Sequence, residues 1–321
     1  MNDEYELSHY LLIDEIEIQN ANAISSPITY GFPAINGFLG AIHALSRKIP
    51  QEAYEKPFLF DGVLIASHEV DLQVFRRNPY SDYTFNQTRN PVLRTGKTPS
   101  IIEEGRVHLT VSLVVEIKAE DGIAFDSEEE GAMLLSWVKN RLMEQRIAGG
   151  SVQKIGHIEL IDSSDIDTLV PKLLPAFVLM EATDQFKVLY QTLQTDEKGG
   201  EKGAKKDPLD LLLETATLHF KPHDEAQESG ESRDWRVENI KQGQGWLVPI
   251  PVGYQAIFRK FEPGELTHAR TDQYPSQYVE PIYTLGKWVF PHRLTSQLAN
   301  AFWRYQTSDD ELYLITQASN E

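Results

Sequence analysis

The chain contains nine histidines and no cysteine, so a metal site would have to combine imidazole with carboxylate ligands. The one close pair, His219 and His223, has Pro222 between its members. Proline spoils the helical i, i+4 spacing that sets two ligands on one face, and no motif supplies a third ligand. There is no His-Glu-x-x-His segment, no Gly-x-Ser-x-Gly elbow, no Walker-type phosphate loop and no Gly-x-Gly-x-x-Gly turn after a strand. Gly243-Gln244-Gly245 lacks the third glycine and leads into a strand-like run. Hydrolase, nucleotidase and dehydrogenase chemistry therefore lose their main signatures, and no cofactor is expected. His43, beside the apolar stripe of a helix, and His292, after Pro291, are candidate general bases for metal-independent chemistry, although neither has an evident partner. The lack of cysteine removes disulfides, thiolate metal sites, iron–sulfur clusters and cysteine nucleophiles together.

Charge patterning is more informative. Residues 76–97 hold five cations, Arg76, Arg77, Arg89, Arg94 and Lys97, against one acid, Asp82. Interleaved with them are Tyr80, Tyr83, Phe85, Asn86, Gln87 and Asn90, types that stack on bases and contact phosphates and base edges. The same composition also fits a solvated loop anchored by its aromatics. A second basic island spans 236–260, where Arg236, Lys241, Arg259 and Lys260 face only Glu238. Two shorter segments have the same double reading. In 146–151, Arg146 precedes Gly149, Gly150 and Ser151; the glycines let a ligand backbone approach and expose amide donors, or simply end a helix. In 19–26, Asn20, Asn22, Ser25 and Ser26 offer hydrogen bonds to RNA, or satisfy a turn and a cap.

The elements that would position these residues follow from periodicity. With 41% hydrophobic residues and 32 aromatics as 5 Trp, 13 Tyr and 14 Phe, the chain buries a large core and is not disordered throughout. Residues 10–18 read as a strand. A helix follows over 35–49, with Ile35, Phe38, Leu39, Ile42, Leu45 and Ile49 at helical spacing and Pro50 as its stop. Gly37 and Gly40 on it point to close packing against a sheet. A second strand covers 61–75 and a third 106–118, where Val107, Leu109, Val111, Leu113, Val115 and Ile117 alternate without a break. The 30 residues between them, 76–105, show little periodicity and far exceed a hairpin loop. A helix over 128–147, begun by Glu128, Glu129 and Glu130, and a strand over 151–161 complete the series. Strand, helix, two strands, helix, strand is the order of an α+β ferredoxin-like or RNA-recognition-motif-like sandwich.

Further on, 184–236 reads as a helical insertion with mobile polar loops near 195–207 and 223–234. Residues 237–321 complete the body: a proline-bearing edge or irregular strand at 245–251, a helix with Leu294, Leu298, Ala301, Phe302 and Tyr305 on one face, and a last strand at 312–316. The expected organisation is one elaborated domain over 1–321. Acids rather than cations at 1–7, and no apolar run of about 18 residues, predict a cytoplasmic protein without a membrane partner. The net charge of −18 argues against indiscriminate polyanion binding and requires any nucleic-acid role to rest on local patches.

Several segments together resemble one family: 18–27 with Gly31-Phe32-Pro33, 85–91, 103–106, 146–151, 245–254 and Pro291-His292-Arg293. They are similar to the Csy-two subunits of the type I-F CRISPR surveillance complex, the Cas-five-like members of the repeat-associated RAMP superfamily. The resemblance spans almost the whole chain. It implies a recognition-motif-like palm with an inserted thumb, 76–105, and a non-catalytic subunit that binds the 5′ repeat-derived handle of the guide RNA. It further implies pairing with the large subunit at the tail of the complex, beside a neighbouring backbone subunit, and leaves open contact with target DNA near its flanking motif. On that reading Arg76, Arg77, Arg89, Arg94, Lys97 and Arg106 place phosphates, while Asn86, Gln87 and Asn90 face base edges. Asn20, Asn22, Ser25, Ser26, Arg146, Gly149, Gly150 and Ser151 complete the handle site. The alternative is a metal-independent endoribonuclease acting on repeat RNA, with His43, His108 or a tyrosine as general base. Screening over about 8–10 Å hides remote acids from a small basic site.

Overall fold

The unbroken alternation from Val107 to Ile117 does form the centre of a sheet. The computed structural model describes residues 5–195, 206–222, 235–295, 297–309 and 311–317. The chain divides into two compact units, one made of Met1–Leu179, Pro251–Ile282 and Phe290–Glu321, the other of Met180–Ile250 and Tyr283–Val289.

The first unit opens with β1 (Tyr5–Asn22), α1 (Ile35–Ser46) and β2 (Phe58–Phe75). Two short strands follow, β3 (Thr84–Arg89) and β4 (Ile101–Glu104), and then β5 (Arg106–Glu120). Next come α2 (Glu128–Met143), β6 (Arg146–Ile147), β7 (Gly150–Asp162), the single-turn α3 (Leu169–Lys172) and β8 (Phe177–Glu181). The strands run in the order β8-β2-β5-β1-β7-β6, and the pairs β1–β5, β2–β5 and β1–β7 are antiparallel. Register places Ile13 opposite Leu113 and Ile65 opposite Leu113, so these buried side chains share one face. α2 covers that face, since Gly131 lies against Leu160, itself paired with Leu11. Ser127 caps α2 through its hydroxyl, and the three glutamates of its first turn favour that end electrostatically.

The opposite face of the sheet has two characters. Toward one end Glu116 is buried at 3% exposure; it accepts from Gly62 N at 3.2 Å and Arg304 Nε at 2.9 Å, and Arg304 Nη2 closes the pair. Toward the other end the face is open and charged, with Glu17 opposite Thr110 and paired with Lys154 at 2.9 Å, Glu69 opposite Thr110 and Asp71 opposite His108.

The second unit holds α4 (Thr183–Thr195) and α5 (Pro208–Ala216), with the two-stranded ribbon β9 (His219–Pro222) and β10 (Trp235–Glu238). Leu189 and Leu193 of α4 pack with Leu211 and Leu212 of α5 and with Ala182, Leu247 and Leu285. Asp207 and Asp210 form a reciprocal capping box at the start of α5, with Pro208 in its first turn. The two helical pieces match the sequence expectation; residues 196–205 and 223–234, where polar loops were expected, lie outside the described residues.

The last strands are β11 (Trp246–Ala256), β12 (Val279–Val289), β13 (Arg304–Asp309) and β14 (Leu312–Thr316). Three expectations change here. The expected C-terminal helix is absent: Pro291–Arg293 and Leu298–Ala301 are short 3-10 turns and β13 begins at Arg304. The backbone of Trp303 exchanges two 2.9 Å hydrogen bonds with Val63, and its Nε1 donates to Leu179 O at 3.0 Å, which holds the segment extended whatever its local spacing. β11 lies between β14 and β12 in the strand order, but β14 pairs with it only at Gly253–Gln255, beyond both prolines, so the 245–251 stretch keeps the edge character expected of it. Residues 76–105 contain a hairpin. α2 stops at Met143, and Gly149 turns a hairpin instead of ending the helix. Among the described residues no helix is long and apolar enough to cross a membrane.

Candidate nucleic-acid interface

Strand β2 extends past the sheet and at Val74 and Phe75 pairs with β3, which pairs with β4 from Asn86↔Glu104 to Arg89↔Ile101. The 76–105 segment is therefore a β-arm growing out of β2 and returning into β5. Its root is packed. Gly105 O accepts from Ala23 N at 3.0 Å, the Tyr30 ring meets Phe85 edge-on at 5.5 Å, and a Cβ on Gly105 would stand 2.6 Å from Ile24. The cations at the root are engaged. Arg76 donates to the carbonyls of Ser81 (2.8 Å) and Pro79 and lies over the Tyr83 ring at 5.0 Å. Arg106 pairs with Glu104 at 3.0 Å and reaches Asn20 O.

The outer arm is different. Arg89, Arg94 and Lys97, like Arg77 next to Arg76, are exposed, with no acidic partner among the described residues. Asn90 N donates to Ser100 O at 3.2 Å, so it continues the arm. Asn86 and Gln87 face Glu104 and Glu103 across the ladder. Two acids outside the basic stretch thus shift the positive charge toward 89–97.

The 19–26 segment and the 146–151 segment meet. Asn20 takes a left-handed conformation (φ 57°) and donates its N–H to His108 Nδ1 at 3.1 Å. Asn22 bonds back to Ile24 through both ends of its amide, and Ser25 and Ser26 bond Thr29. These side chains satisfy the turn, as the plainer reading of the sequence had it. Opposite them, β6 and β7 pair Arg146 with Ser151 and Ile147 with Gly150 around Ala148 and Gly149, both at positive φ. That two-residue geometry matches the strand twist. Gly150 has no room for a Cβ, which would stand 2.6 Å from Ile18. Asn22 N donates to Ala148 O at 2.9 Å.

Beside this junction, α1 and the Gln145–Gly149 connection enclose a cleft of about 420 Å³, within the roughly 300–1,000 Å³ of small-ligand sites. Gly37, Gly40, Ala41 and Ala44 form its floor, and Asn22, Asn36, Gln145, Arg146 and Lys48 line it with no carboxylate. Arg146 and Lys48 are exposed and unpaired among the described residues. Gln145 Nε2 donates to Ala41 O at 3.1 Å, fastening one wall to the helix, while its Oε1 is shielded without a partner. Gly37 serves a close approach, but to Ala148 at 3.0 Å and not to a sheet; a Cβ on Gly40 would meet open space. Sequence reasoning missed Lys48 and Asn36. The signal that marks this helix face is its run of small residues.

The groups nominated for catalysis are scattered. His43 is exposed and edges onto Tyr305 at 6.2 Å, and His292 packs near Phe290. Burial pushes the Tyr305 and Tyr313 phenols up and Tyr10 up to about 12, which makes them poor bases at neutral pH. His219 pairs with Glu214 at 2.7 Å, while His223 lies outside the described residues. Among the described residues no three His, Asp or Glu side chains gather as a metal site.

A β-arm with free outer cations beside a carboxylate-free cleft is the setting in which the comparisons with known proteins become informative. The family model for CRISPR-associated protein Csy2 matches residues 11–315. This chain belongs to the Csy2 family. The CRISPR-associated protein Csy2 of Pseudomonas aeruginosa strain UCBPP-PA14 is similar at 32% identity over 316 residues, covering 94% of this chain and 92% of that one. The Csy2 match takes in the arm, the 19–26 turn and the 146–151 hairpin.

Proposed function

We propose that this chain is a non-catalytic subunit of a type I-F CRISPR surveillance complex, where it binds the 5′ repeat-derived handle of the guide RNA and pairs with the large subunit. The observation that carries the RNA reading is the distribution of unpaired cations. In a protein of net charge −18, Arg146 and Lys48 line a cleft without a carboxylate, and Arg77, Arg89, Arg94 and Lys97 stand free on the adjacent arm. Phosphates supply most of the affinity in such contacts. The strand order β2-β5-β1-β7, with α1 after β1 and α2 after β5, fits a recognition-motif-like palm, and the 76–105 arm fits its thumb. The open palm face carries Glu69 and Asp71, with no cation partner among the described residues, so the RNA runs along the cleft and arm and not across the sheet. The nominated bases His43, His108 and His292 lie on separate elements, which supports a binding role over cleavage.

The test is to express the tagged chain with its neighbouring genes and sequence the small RNA that copurifies. A constant 5′ segment followed by varied spacers is the expected result. Partner subunits without RNA would leave only a scaffold. Cleavage of repeat RNA in EDTA, abolished by His43→Ala, would replace the proposal with the ribonuclease reading.

A further inference from the structure

We propose that the cleft beside α1 receives one unpaired nucleotide turned out of the bound RNA, its base lying flat on the helix at Gly40 and its flanking phosphates held by Arg146 and Lys48. The inference rests on the handle-binding reading and adds where, and in what conformation, one nucleotide of it sits.

Three observations point the same way. The lining has two unpaired cations, three amide side chains and no carboxylate, so its occupant carries negative charge. The floor carries nothing larger than a methyl group at Gly37, Gly40, Ala41 and Ala44, which offers a flat surface of helix backbone and methyl groups to a planar ring. The two glycines are not equivalent. Gly37 is forced by the approach of Ala148, whereas nothing in the packing forbids a side chain at Gly40. A glycine in mid-helix disfavours the helix relative to alanine, and here the space it leaves opens into the cleft. Position also fits. Gln145 fastens to Ala41 O, which sets Arg146 beside the middle of α1, and Lys48 lies in the turn just past the helix end at Ser46. Both cations line the same cleft as Gly40 and Ala44, and its volume of about 420 Å³ holds one nucleotide and not a duplex.

The test uses the full chain assembled with its partner subunits and synthetic handle RNAs, each abasic at one position, at about 0.15 M salt. One position should stand out, with loss of its base weakening binding about tenfold, the scale of one base stacked on protein. Gly40→Leu should bind intact RNA about tenfold more weakly, yet bind the RNA abasic at that position as the native protein does. Thermal unfolding verifies that Gly40→Leu is folded. As a second variant, Arg146→Ala with Lys48→Ala, both on the surface, should expose that same base to solution alkylating reagents. A scan with no distinguished position, or a penalty that persists unchanged in Gly40→Leu, overturns the inference while leaving handle binding intact. Displacement of the RNA by adenosine monophosphate at equal affinity also overturns it, in favour of a free-nucleotide site. Failure of every RNA to bind defeats the handle reading, and the inference falls with it.

Discussion

The root and the outer part of the 76–105 arm have similar compositions and opposite circumstances. At the root, Arg76 and Arg106 are tied to carbonyls, to the Tyr83 ring and to Glu104, and Gly105 and Phe85 interlock with Ile24 and Tyr30. Further out, Arg89, Arg94 and Lys97 have no such partners among the described residues. Counting cations therefore overstates the binding surface. A guanidinium with fixed carbonyl acceptors shapes its own loop, and only an unengaged one offers its full charge to a phosphate.

The sharpest way to break this contrast is Arg89→Glu, Arg94→Glu and Lys97→Glu together. RNA affinity of the assembled protein should fall about a hundredfold or more at low salt, and the log–log salt slope should flatten by about 2. The thermal midpoint should stay where it is, because solvated surface changes cost within about 0.5 kcal/mol. If Arg76→Ala lowers RNA affinity as much, the contrast fails. Next in size, Gly105→Ala should destabilise the protein by about 1–3 kcal/mol in urea unfolding, because Ile24 must give way. Gly96→Ala, in open space at φ 74°, should cost about 1 kcal/mol from backbone strain alone. Smallest, Arg76→Ala should cost about 0.5–1 kcal/mol, the scale of an exposed cation–π contact, and leave the salt slope unchanged.

The same contrast explains what the sequence could disclose. The 106–118 alternation, the helical stripe from Ile35 to Leu45 and the split of 184–218 into two helices are local patterns, and each forms the element it announced. The hairpin in 76–105 was hidden because half-exposed strands need no apolar alternation; its ladder puts Thr88 and Arg89 opposite Ile102 and Ile101. The C-terminal segment misled for the opposite reason. Leu294, Leu298, Ala301 and Phe302 are indeed buried, but the segment is held extended by Trp303, which bonds Val63 and Leu179, over a hundred positions away. The cleft was half legible. Arg146 and Gly149 were visible as a glycine-bearing segment, whereas Lys48 and Asn36 enter only because the 146–151 hairpin folds back onto α1.

The pairing of Glu116 with Arg304 imposes an order of events on the chain. The carboxylate sits in the middle strand of the sheet, and its guanidinium arrives 188 residues later. A nascent chain that has made β1, β2 and β5 but not Arg304 must either hold a buried carboxylate without its cation, at a cost of about 3–5 kcal/mol, or leave that end of the sheet open to water. The buried end of the sheet around Glu116 thus reaches its final, paired form only once translation has passed Arg304.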